Sequence, residues 1–113
     1  MRIAPFDAAS KFIKNYYPNC LGAILSGSVT KGEYNETSDL DIVVIEKSPI
    51  TYRESVVKFD WMIEVFVYDI NSYKPFFDSD YKRARPSLIR MIAEGVVFQH
   101  HIELERIIQE AKD

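Results

Sequence analysis

Leu21-Gly22-Ala23-Ile24-Leu25-Ser26-Gly27-Ser28, followed by Ser38-Asp39-Leu40-Asp41-Ile42-Val43-Val44-Ile45, are the two stretches whose reading decides the fold. The first is a short apolar run bounded by turn residues, which predicts a buried strand delivering Gly27-Ser28 to its C-terminal end. The second is rich in Val and Ile and is closed by Lys47-Ser48-Pro49, so it predicts another strand over Leu40 to Ile45. The two-residue period of a strand sends Asp39 and Asp41 to one face and Leu40 and Ile42 to the other. Like charges set side by side are unfavourable unless something positive neutralises them, and a hard divalent cation with oxygen ligands is the natural candidate. Taken alone, the pair equally suits a turn capped by Asp39 after Thr37-Ser38, with Asp41 at a solvated strand edge.

Gly27-Ser28 adds a second chemistry. Glycine lets the backbone approach an anion closely, and a serine hydroxyl with nearby backbone N–H groups can hydrogen-bond phosphate oxygens. In isolation the dipeptide is an ordinary strand-ending turn. In combination it is rarer: average composition puts Gly-Ser followed at this distance by Asp-x-Asp in about one chain in a hundred of this length. A phosphate pocket then faces a metal pocket.

Outward from these stretches, Phe6, Ala9, Phe12, Ile13 and Tyr16 recur at helical spacing between Pro5 and Pro18 and predict a first helix. Val56-Val57 and Trp61 to Tyr68 predict two strands joined by a tight turn near Phe59-Asp60, a hairpin. From Asn71 the pattern turns helical, with Pro86 suited to a first helical position and Leu88, Ile89, Ile92 and Ala93 on one stripe that Gly95 ends. Val96-Val97-Phe98 reads as a short edge strand. His101 to Ala111 reads as an amphipathic helix, whose Ile102, Ile107 and Ile108 form an apolar face for a partner. In Trp61 to Val67, Glu64 is a lone carboxylate in an apolar run. A buried charge without a partner there costs about 3–5 kcal/mol, so Glu64 calls for a metal or phosphate-site partner, or else for a half-exposed face or an ion pair with Lys58 or Arg53.

The 113 residues, 47% apolar and 27% charged, bound a single folded domain, 1–113, or the N-terminal part of a longer enzyme. The net charge of −3 disfavours a domain that grips nucleic-acid phosphates. The basic cluster Lys82, Arg83 and Arg85 reads as a solvated turn. No apolar run approaches a membrane span and Met1-Arg2-Ile3 opens no leader pattern, so the expectation is cytoplasmic. Cys20, the single cysteine, reads as a buried thiol without chemistry. Neighbouring His100 and His101 would point about 100° apart on a helix and grip no common metal. Tyr16, Tyr17, Phe76, Phe77 and Tyr81 could stack on a base, but their spacing suits a core.

The residues Ala23 to Ser28, then Lys31-Gly32, then Ser38 to Val44 closely resemble the DNA polymerase beta-like nucleotidyltransferase superfamily, most of all small bacterial members related to aminoglycoside nucleotidyltransferases and minimal nucleotidyltransferases with helical toxin partners. The resemblance spans Leu21 to Val67. It implies an α+β fold, a mixed and mostly antiparallel sheet with helices packed against it. It implies transfer of a nucleoside monophosphate from an NTP, ATP in the first instance, to a hydroxyl of a small molecule or protein, with release of pyrophosphate. Carried over by residue, Gly27 and Ser28 would contact the β and γ phosphates, and Asp39 and Asp41 would ligate Mg²⁺ or Mn²⁺. Glu64 would hold the metal nearer the acceptor, and Lys31 would add a phosphate contact or stay solvated. Two such metals sit about 3.5–4 Å apart and need no protein nucleophile. A general base is not identifiable. The alternative is a weakly active or inactive module of the same fold that binds a partner, such as an antitoxin. In the enzyme reading, a homodimer or a helical partner protein would complete the acceptor half-site that this chain lacks.

Overall fold

A computed structural model describes residues 3–32, 38–47, 51–70, 75, 87–99 and 102–112, with backbone alone at 28, 31, 87–90, 99, 102–104 and 111. Helix α1 covers Pro5–Tyr16, with proline in its first turn, Asp7 near its positive end and Lys14 near its negative end. Of the stripe that the spacing predicts, Ala9, Phe12 and Ile13 are buried together with Ala8, whereas Phe6 and Tyr16, at the two ends of the helix, are exposed, so Tyr16 is not a core residue. Strand β1 (Gly22–Ser26) runs into a single 3₁₀ turn (Ser28–Lys31). Strands β2 (Leu40–Glu46), β3 (Tyr52–Lys58) and β4 (Trp61–Asp69) follow. Helix α2 (Ser87–Glu94), strand β5 (Val96–Gln99) and helix α3 (Ile102–Lys112) complete the described elements.

The five strands form one sheet in the order β3-β4-β2-β1-β5. β2 and β4 are parallel and the other three pairings antiparallel, so the fold is α+β with a mixed, mostly antiparallel sheet. β5 lies at one edge, and β3 at the other. β3 begins at Tyr52, four residues before the apolar pair Val56-Val57 that marks it in the sequence. Its first four residues, Tyr-Arg-Glu-Ser, are exposed on both faces, so no apolar alternation announces them. The β3–β4 turn is two residues long, with Phe59 and Asp60 at φ 55° and 63°. Such primed turns match the twist of paired strands.

Alternation divides the sheet into two faces. Ala23, Leu25, Leu40, Ile42, Val44, Trp61, Ile63, Val65 and Val67 pack against α1. The Trp61 indole N–H donates to the Ile3 carbonyl at 2.8 Å, tying the chain before α1 to the start of β4. On the other face Ile24, Val43 and Ile45 meet Ile70, Ile92 of α2 and Ile107 of α3. Ile107 is fully buried and Ile108 packs partly buried beside it, so these two isoleucines serve the chain's own core and are not an apolar face awaiting a partner. The Ile102 side chain, the cluster Lys82, Arg83 and Arg85, Pro86, Phe76, Phe77, Tyr81, His100 and His101 lie outside the described residues or side chains. Cys20 is buried, and burial pushes its thiol up to about 11, in keeping with an inert group. Among the described residues no helix is long and apolar enough to cross a membrane.

Because Ile107 fills a site with no exposure, Ile107→Ala is expected to destabilise the fold by about 2–5 kcal/mol. Urea unfolding followed by circular dichroism checks this. A surface isoleucine would lose less than ~0.5 kcal/mol.

Candidate nucleotide and metal site

Strand register places the polar residues of the first motifs in one row. Ser26 pairs with Asp41, Asp41 with Glu64, and Glu64 with Ser55, so four strands contribute one position each to the same face. The next row on that face is apolar at Ile24, Val43 and Phe66 and ends at Arg53 on the β3 edge. The polar row therefore borders the core that α2 and α3 cover. Ser26 is buried, Asp41 and Glu64 are half-buried, and Asp39, just before β2, is exposed.

Gly27 turns the chain directly beside this row. Its φ of 92° lies where side chains are strained, and a Cβ built on it would stand 3.0 Å from Asp41 Oδ2. The turn is fastened from the far side: Thr30 donates to the Gly27 carbonyl through its hydroxyl at 2.8 Å and its N–H at 3.2 Å. Thr30 escaped the sequence reading, although a Ser-Val-Thr run after a glycine carries the local hydroxyl-to-backbone signal that would find it. Ser28 and Lys31 belong to the 3₁₀ turn through their backbones, and their side chains lie outside the described set.

The electrostatics of the row are one-sided. Burial raises the Asp41 pKa, and the carboxylates of Asp39 and Glu64 raise it further, while Arg53 draws it back. Glu64 Oε2 accepts from Arg53 Nε at 3.1 Å and lies 3.0 Å from Nη2. Of the partners that the apolar strand leaves open for Glu64, the structure thus supplies Arg53. The guanidinium sits over the Phe66 ring, 5.0 Å from its centroid, a cation–π contact.

Among the described residues no three His, Cys, Asp or Glu side chains gather closely enough to hold a metal ion by themselves. The donor chemistry nevertheless fits Mg²⁺, which keeps several waters and binds through one or two carboxylates plus substrate phosphates. Asp39, just before β2, and Asp41, within it, are hard oxygen donors on one chain segment, with Glu64 next in the row, and the glycine leaves space beside Asp41 that a side chain would fill.

Residues 7–110 match the nucleotidyltransferase domain family. The chain belongs to that family. No curated protein matches it by sequence. Among solved structures it is similar to a nucleotidyltransferase-like protein from Exiguobacterium sibiricum 255-15, with a TM-score of 0.69 at 12% identity. That match covers 95% of this chain and 38% of the other, so the chain spans well under half the length of that neighbour. As a nucleotidyltransferase domain the chain carries the fold of proteins that generally use an NTP and a divalent metal.

Crowded carboxylates make a testable prediction about stability. A carboxyl group whose pKa is raised on folding binds its proton more tightly in the folded state, so stability falls as pH climbs from the ordinary carboxylate range through the raised value. At pH 7 without metal, the Asp41 carboxyl therefore weakens the fold. Asp41→Asn is expected to melt a few degrees higher than the natural protein at pH 7 in EDTA, and the gap should close as the pH falls below about 4. Thermal unfolding across that pH range checks it, and a lower melting point for Asp41→Asn at pH 7 would contradict it.

Proposed function

We propose that this nucleotidyltransferase domain transfers a nucleoside monophosphate from a Mg²⁺-bound NTP, ATP in the first instance, to a hydroxyl of a small molecule or protein in the cytoplasm. The observation that carries the reading is the approach of Gly27 to Asp41, which sets an anion-accepting turn against a half-buried carboxylate already crowded by Asp39 and Glu64. A triphosphate and a divalent cation arriving together satisfy both sides of that arrangement: the cation neutralises the carboxylates and the turn receives the phosphates.

In this reading Asp39 and Asp41 hold Mg²⁺ or Mn²⁺, and Glu64 contributes from the adjacent strand on the acceptor side. The cation supplies charge stabilisation for attacking and leaving oxygens of an in-line displacement. The Gly27-Ser28 turn, locked by Thr30, positions the β and γ phosphates, with Lys31 as a further phosphate contact. The acceptor oxygen bonds to the α-phosphorus as the bond to the departing pyrophosphate breaks, and the hydroxyl proton passes to solvent. The residues have only to bind, orient and hold charge, so no protein nucleophile is needed. Nucleic acid is a disfavoured acceptor for a chain of net charge −3. In this reading a helical partner or a second copy supplies the acceptor site.

Isothermal titration should find that the natural chain binds Mg·ATP, that EDTA removes the metal-dependent part, and that Asp39→Asn or Asp41→Asn weakens it at least about tenfold, or ~1.4 kcal/mol. Transfer of label from α-³²P-ATP to an added hydroxyl acceptor reads the chemistry. Mg·ATP binding no tighter in the natural chain than in Asp41→Asn would overturn the metal site, and the fold would then serve partner binding alone, as an antitoxin does.

A further inference from the structure

We infer that Arg53 is an exchangeable counter-ion of the site: in the metal-free chain it holds Glu64, and on loading Glu64 exchanges Arg53 for a divalent cation while the guanidinium turns to the triphosphate. The inference rests on the nucleotide-site reading above and assigns a role to a residue outside its motifs.

Three features of the pair carry it. Both guanidinium contacts, Nε at 3.1 Å and Nη2 at 3.0 Å, converge on one oxygen, Oε2, so the pair is not a two-oxygen fork. The Arg53 side chain is 65% exposed whereas Glu64 is 19% exposed, so the cation is the mobile partner and the carboxylate the fixed one. An ion pair open to water on one side stabilises by roughly 1 kcal/mol or less, which a divalent cation surpasses readily. Geometry supplies the rest. Arg53 stands on the edge strand one row from Glu64, over the Phe66 ring, and the flat aromatic face lets the guanidinium swing while keeping a stacking partner. A guanidinium released beside a metal-bound triphosphate finds phosphate oxygens, which it can grip through two N–H groups. The exchange also keeps the charge balance. With neither metal nor nucleotide, Arg53 offsets one of three carboxylates. With both bound, the cation takes over that task and Arg53 meets the added negative charge of the phosphates.

The test uses the whole chain with Arg53→Gln, which keeps length and polarity, and Arg53→Lys, which keeps charge. Mn²⁺ alone is titrated and read by the electron paramagnetic resonance signal of free Mn²⁺; Mg·ATP binding is read separately by calorimetry. Removing the competing cation should tighten Mn²⁺ binding of Arg53→Gln about 3–10-fold, and losing the phosphate contact should weaken Mg·ATP about tenfold or more. Arg53→Lys should keep Mn²⁺ affinity near that of the natural chain and still lose part of the Mg·ATP affinity. Opposite movement of the two affinities is the signature, since a merely structural pair would shift both together or neither. If Arg53→Gln binds Mn²⁺ no tighter and Mg·ATP no weaker than the natural chain, the exchange is overturned while the nucleotide site stands. If the natural chain binds neither Mn²⁺ nor Mg·ATP, the site itself falls and the exchange with it.

Discussion

Three carboxylates that repel one another set the terms for this structure. Asp39 and Asp41 lie at alternate positions of one chain segment, and register brings Glu64 beside Asp41 on the parallel neighbour β4. Burial and this crowding together raise the Asp41 pKa. A fold selected for stability alone would not place Asp41 there, since like charges on neighbouring strands oppose pairing. The rest of the architecture makes the placement tolerable. Val43, Ile45, Val44 and Ile42 bury β2 on both faces, Arg53 offsets Glu64 from the sheet edge, and Gly27 leaves space beside the most hindered carboxylate.

The fold is shared with a solved neighbour at 12% identity, so little of it depends on particular residues. Many apolar residues can fill the two helix-covered faces, because volume and patterning tolerate substitution better than a charged row does. Gly95 is a structural exception. A Cβ there would stand 2.3 Å from Ile24 Cγ2 and 2.5 Å from the Met91 carbonyl oxygen, so the passage from α2 to β5 admits only glycine without movement.

The elements with strong periodicity were legible from residues alone: α1 within a residue of its observed start, β1 and β2 within one residue of their ends, and the hairpin turn at Phe59-Asp60. The polar half of β3 was not, because an edge strand open to solvent on both faces shows no alternation. The apolar stripe around Ile107 misleads for a related reason. A helical apolar stripe states that a face will be covered but does not say by what, and here the chain's own sheet covers it. In the site, alternation puts Asp39 and Asp41 on one face, and the lone carboxylate in β4 draws attention to Glu64. The Gly27 approach to Asp41, the Thr30 clamp and the choice of Arg53 over Lys58 depend on strand order and register, which pattern does not carry. Lys58 instead lies over Tyr16, 5.2 Å from its ring centroid, on the opposite face of the sheet.

The central claim is spatial: metal and phosphates meet where the end of β1 faces the start of β2. Paramagnetic relaxation tests it most directly, with Mn²⁺ and ATP added at substoichiometric levels to the ¹⁵N-labelled chain and amide signals followed by NMR. Broadening falls off steeply with distance from the ion. The account predicts that the amides of Gly27, Asp39, Asp41 and Glu64 broaden first, while those of Tyr17 and Tyr52, at the far end of the aromatic cleft on the α1 face, broaden last. Broadening centred on that cleft, or spread evenly over the surface, would contradict it.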